Sequence, residues 1–101
     1  MELNVKERLA LLQMIPQIQG NLATLRILSD LARNLGFTES EHADLKFKQT
    51  AGKLEWRGSL DRDIDIGPVA LKAVQKHLQA LDRKGKLTMD HLSLCDKFME
   101  D

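Results

Sequence analysis

Cysteine, aromatic residues and net charge are all in short supply in this chain, and each shortage closes off a class of explanation. A single cysteine, Cys95, among 101 residues permits no intrachain disulfide and suits a reducing compartment. Aromatic side chains are confined to Phe37, Phe47, Phe98 and Trp56, with no tyrosine, so the core has to be built mainly from Leu and Ile. The 15 basic side chains are balanced by 15 acidic ones, and the balance holds within each half of the chain. A protein that coats nucleic acid draws most of its affinity from phosphate neutralisation and carries a basic excess. That excess is missing, which argues against nucleic acid as the main partner.

No apolar run approaches the ~20 residues of a membrane span. The start, Met1-Glu2-Leu3-Asn4, lacks the basic and apolar segments of a secretory signal. A soluble cytoplasmic protein is therefore expected, with no membrane partner. There is no phosphate-binding loop, dinucleotide fingerprint or G-x-S-x-G elbow. The six glycines sit at turns. No enzyme activity, cofactor or metal is expected.

What the chain does contain is helical periodicity at both ends and an alternating stretch between them. Asn4, with Glu7 three residues on, opens a first helix over about Val5 to Ile15, ended by Pro16. Asn21 caps a second, about Leu22 to Leu35, whose stripe of Leu22, Leu25, Leu28, Ala32 and Leu35 faces inward. Gly36 suits a left-handed stop. Thr38-Glu39-Ser40-Glu41 matches a capping box and opens a short third helix to about Asp44.

Two alternating runs, Leu45–Gln49 and Lys53–Arg57, flank Thr50-Ala51-Gly52 and predict a hairpin. Arg62-Asp63-Ile64-Asp65-Ile66 predicts a third strand. Pro68 begins a fourth helix with Leu71, Val74, Leu78 and Leu81 on one face, ending near Lys84 and Gly85. Thr88 caps a fifth, about Met89 to Met99, with Leu92, Cys95 and Phe98 or Met99 as its buried stripe. The expected fold is one α+β domain spanning 1–101: N-terminal helices, a small antiparallel sheet of two or three strands, and a C-terminal helix hairpin packed over it. Leu25, Leu28, Leu78 and Leu81 are expected to be major core contributors.

Several constellations invite a chemical reading. Asp61, Asp63 and Asp65 imitate the start of a calcium loop, but the positions needing glycine and a bidentate glutamate hold Ile66 and Lys72. His91 and Cys95 share a helix face but lack the further ligands of a zinc site. As a nucleophilic pair they would need a cleft and an oxyanion-stabilising group. The order of three helices and a hairpin imitates a winged helix-turn-helix. Its recognition helix would present Glu39, Glu41 and Asp44, which repel phosphate.

The hairpin 46–57 is the better candidate surface, with Lys46, Lys48 and Arg57 as cations and Trp56 as either a core residue or an interface anchor. Lys46 and Lys48 are expected on one strand face. Leu11, Ile27 and Leu60 are leftover apolar positions that could form a homodimer face.

Three segments resemble a family of small bacteriophage-encoded proteins with no assigned activity: Glu7 to Leu12 with Ile15-Pro16, Asn21 to Phe37, and His77 to Phe98. The resemblance implies a phage protein acting in the host cytosol and carries over no binding or catalytic residue. Together the readings favour a non-enzymatic protein-interaction module that binds and modulates a host or phage protein. The alternative is a winged-helix-like nucleic-acid binder using the basic hairpin.

Overall fold

The computed structural model describes Met1–Met99; residues 100 and 101 of the expected 1–101 domain lie outside the described residues. The fold is α+β, with five α-helices and two separate antiparallel strand pairs. The helices are α1 (Val5–Met14), α2 (Leu22–Leu35), α3 (Glu39–Leu45), α4 (Pro68–Arg83) and α5 (Met89–Phe98). The strands are β1 (Glu2–Leu3), β2 (Lys48–Thr50), β3 (Lys53–Glu55) and β4 (Arg62–Asp63).

The caps form where residue type dictates. Asn4 Oδ1 accepts the Glu7 N–H at 2.8 Å while Glu7 Oε1 accepts the Asn4 N–H at 2.9 Å. Thr38 and Glu41 repeat this exchange at the start of α3. Each reciprocal pair satisfies N–H groups that the first helical turn leaves open. Asn21 Oδ1 accepts from Thr24 N–H at 2.9 Å. Pro16 does not end the helical path at once, because Ile15–Gln17 continue as a single 3-10 turn.

Four helices form a closed ring: α1 packs on α2 and α5, α2 on α4, and α4 on α5. The core lies inside this ring, where Leu11, Leu28, Leu35, Val74, Leu78, Leu94 and Phe98 are each at most 1% exposed. The C-terminal helices thus pack on α1 and α2 rather than over a sheet. Leu28 and Leu78 hold the core positions expected of them, whereas Leu25 is 41% exposed and Leu81 is half-buried. On α5 the buried residues are Leu94 and Phe98, and Leu92 is 53% exposed. The stripe is rotated because α5 meets α1 as well as α4, which turns Leu94 inward.

The sheet is two pieces. β2 and β3 pair Lys48 with Glu55 and Thr50 with Lys53, and none of their residues is buried. Ala51 and Gly52 both take positive φ, 51° and 78°, as a two-residue hairpin turn requires. The remaining strand of the expected sheet, β4, pairs instead with β1 at the N-terminal end of the chain, Leu3 opposite Arg62. This pairing brings Leu3 and Ile64, both at most 2% exposed, into the core.

Gly36 is not left-handed: its φ is −60° and ψ 156°. The end of α2 is closed by arginine side chains rather than by a turn residue.

Candidate functional site

Two buried ionic networks hold the ring together, and both begin on α1. Arg8 is completely buried. Its guanidinium donates to Glu41 Oε2 at 2.7 Å and Oε1 at 3.2 Å, to Leu35 O at 3.1 Å and to Gly36 O at 2.8 Å. It also stacks 3.9 Å above the centre of the Phe37 ring. Arg62 adds a second guanidinium, donating to Glu41 Oε1 at 3.0 Å and to Asn34 O. The last carbonyls of α2, which helix geometry leaves open, are thus satisfied by two cations at its negative pole. The Arg8 hydrogen bond, reinforced by the Thr38 N–H and both positive charges, holds the Glu41 carboxyl down to about 2.

The second network centres on Glu7, 1% exposed. It accepts from Ser93 Oγ at 2.6 Å and from Lys97 Nζ at 2.7 Å, and Lys97 also donates to Glu2 O. Burial pushes the Glu7 carboxyl up, but these donors outweigh it and leave the group below its ordinary value. Both carboxylate oxygens of Glu7 and of Glu41 accept hydrogen bonds within the fold, so neither carboxylate is left free.

The open surface lies on the opposite side of α1. A groove of about 780 Å³ has one face of α1 and the turn after it as its floor, where Lys6, Leu9, Ala10, Gln13, Met14 and Gln17 recur at helical spacing. Leu54 and Trp56 from the hairpin form one wall. His77 and Leu81 of α4, with Lys86 and His91 beyond it, form the other. A second hollow of about 520 Å³ lies between the start of α2 and α4, lined in part by Val69, Lys72, Ala73 and Lys76. His77 lines both hollows, and its Nε2 is buried without a hydrogen-bond partner among the described residues. Burial, with His91 and Lys84 nearby, lowers its affinity for a proton.

Of the four binding residues expected on the hairpin, Lys46, Lys48, Trp56 and Arg57, only Trp56 lines this groove. It is half-buried outside the core, its ring 6.3 Å from Phe47, which joins Phe37 and His42 in an edge-to-face cluster. Lys46 does not share a strand face with Lys48: it caps α3 in the left-handed region, φ 49°. Lys48 is opposite Glu55, and Arg57 is exposed with its backbone N–H bonded to Leu45 O at 2.7 Å. Leu11, proposed for a dimer face, is fully buried; Ile27 is 38% exposed and Leu60 half-buried. The floor and far wall of the groove were missed because their residues come from elements distant in sequence. The signal available was the spacing Lys6, Ala10, Met14 and Gln17, a second face on α1.

Among the described residues no group of three or more His, Cys, Asp or Glu converges as metal ligands would. Burial, with Asp82 and Asp96 close by, raises the Cys95 thiol, the reverse of an activated nucleophile. His91 does line a cleft, but its Nδ1 accepts the Thr88 N–H at 3.0 Å and serves the start of α5. No helix among the described residues is long and apolar enough to cross a membrane. No known protein family, curated protein or solved structure matches the chain.

Proposed function

We propose that the protein is a non-enzymatic interaction module that binds another protein through the groove between α1, the hairpin and α4. The observation that carries this reading is the hairpin wall. Leu54 is 42% exposed and Trp56 half-buried, on a hairpin with no buried residue of its own. Apolar side chains held over an open cleft and rimmed by polar groups are the usual form of a protein-binding surface. The buried networks support binding over turnover, since their ionisable groups are consumed in holding the helices. On the resemblance of the segments Glu7–Leu12 with Ile15-Pro16, Asn21–Phe37 and His77–Phe98 to small phage proteins, the setting we propose is a phage accessory protein acting on a host or phage protein in the bacterial cytoplasm.

Capture from bacterial lysate on the immobilised protein tests this reading. A defined protein should be retained by the parent chain and lost from a variant carrying Leu54→Glu and Trp56→Ala. Equal retention by both would move the binding surface elsewhere, and repeated recovery of none would count against the module.

A second reading is nucleic-acid binding by the hairpin 46–57. It is favoured by Lys46, Lys48, Lys53 and Arg57, none of which is in an ion pair among the described residues. Against it, α3 turns Glu41 inward to the arginines and leaves Glu39 and Asp44 outside. DNA affinity falling steeply with salt, and lost when Lys46, Lys48 and Arg57 are changed together, would establish it.

A further inference from the structure

The chain is electrically neutral, yet its charges are not evenly laid out. Around the groove stand Lys6, Lys53 and Lys86 against a single carboxylate, Asp90, which lies 3.2 Å from Lys6. Lining the adjoining hollow are Lys72 and Lys76 with no carboxylate at all. The two hollows share His77 as a lining residue, and its buried Nε2 has no partner among the described residues. The groove and the hollow that shares His77 with it are together lined by five lysines and one aspartate, and Leu9, Ala10 and Met14 lay an apolar strip along the groove floor beside Lys6, Gln13 and Gln17.

We propose that this face takes an acidic amphipathic segment of another protein, laid along α1 with its apolar side on Leu9, Ala10, Met14, Leu54, Trp56 and Leu81. The proposal rests on the interaction-module reading and names the chemistry of its partner. Shape supports the match. The groove face of α1 runs from Lys6 to Gln17, and helix rise makes that roughly 16 Å, three turns of an opposing helix. The positions of the cations support a segment over a single anionic group. Lys72 lies in the second turn of α4 and Lys86 beyond its end, so roughly 16 Å of helix rise separates them. Repeated carboxylates along a peptide can reach such spaced charges, whereas one head group reaches one end. The lining favours protein over nucleic acid, because it is mostly aliphatic, has Trp56 as its one large aromatic ring and carries no arginine, where phosphate and base contacts call for arginine and several stacking rings.

Trp56 makes the test direct, being the single tryptophan in a chain without tyrosine. The probes are two 15-residue end-blocked peptides with leucine on one helical face. One carries glutamate on the other face and its twin carries lysine. The glutamate peptide should shift Trp56 emission and bind at least about tenfold more tightly than the lysine twin. Its affinity should fall several-fold between 50 and 500 mM salt. A variant carrying Lys53→Glu and Lys86→Glu, both exposed sites, should weaken the glutamate peptide about tenfold and bring the lysine twin level or ahead.

Equal or tighter binding of the lysine twin by the parent protein would overturn the acidic partner and leave the groove as a protein site. Silence toward both peptides, with groove-dependent capture intact, would do the same. Silence with capture also lost would remove both readings. A shift produced instead by a single-stranded oligonucleotide, or by raising the concentration of the protein alone, would replace the partner with nucleic acid or a second copy.

Discussion

At the scale of single residues, Arg8 is the most consequential side chain. A fully buried guanidinium is costly to desolvate and survives only when every donor is engaged. Here Glu41, the Leu35 and Gly36 carbonyls and the Phe37 ring engage it. Arg8→Ala leaves Glu41 and the end of α2 without this partner and should cost about 3–5 kcal/mol in urea denaturation. Replacing Arg8 and Glu41 together by Met and Leu should cost less than the two single changes combined.

The same pair sets an acid limit. Glu41 titrates near 2 in the folded chain against an ordinary value of 4.5. The folded state therefore favours the charged form. Its contribution is complete above about pH 4.5 and is lost as pH falls toward 2, amounting to roughly 3 kcal/mol. Glu7 acts in the same direction. Glu41→Gln should flatten the stability profile between those pH values, as measured by chemical denaturation at a series of pH values.

At the scale of elements, the helices were legible in the sequence where capping chemistry marks them. Asn4 with Glu7, Asn21, and Thr38 with Glu41 open helices as their side chains dictate. Which face turns inward was less legible, because it depends on how many neighbours a helix has. Leu92 and Leu94 are equally apolar, and only the contact of α5 with both α1 and α4 selects Leu94. Leu94→Ala should cost about 2–5 kcal/mol and Leu92→Ala well under 1 kcal/mol, compared by thermal unfolding.

β1 escaped notice for a related reason: a strand of two residues is defined by its partner and not by its own pattern. Nothing in residue type announces the burial of Arg8 and Glu7, because charged residues are usually exposed. The clue was that Arg8 stands three residues from both Val5 and Leu11, on an otherwise apolar side of α1. The hairpin carries a local strain of its own, since Ala51 holds φ at 51°. Ala51→Asn would place Asn-Gly in the turn and relieve about 1 kcal/mol. Amide exchange across β2 and β3 should slow roughly fivefold, with the helical ring unaffected.

At the scale of the whole molecule, the ring is closed by contacts between its two most distant elements. Glu7 on α1 receives Ser93 and Lys97 from α5, and Lys97 reaches on to Glu2. Glu7→Ala would leave these donors without their acceptor and should cost about 3 kcal/mol or more. Loss of a single cooperative transition, followed by circular dichroism, would locate the effect in the closure of the ring. The groove belongs to this scale as well. Its floor, walls and lysines come from α1, the hairpin and α4, so no local stretch of sequence displayed it.

Because α1 packs on α5 as well as on α2, it leaves the ribosome some seventy residues before one of its partners. During synthesis the part of its apolar side that α5 covers stays open until residues 89–98 emerge. Nascent chains halted before that point should therefore be clients of chaperones and targets of proteases, and emergence of α5 should release them.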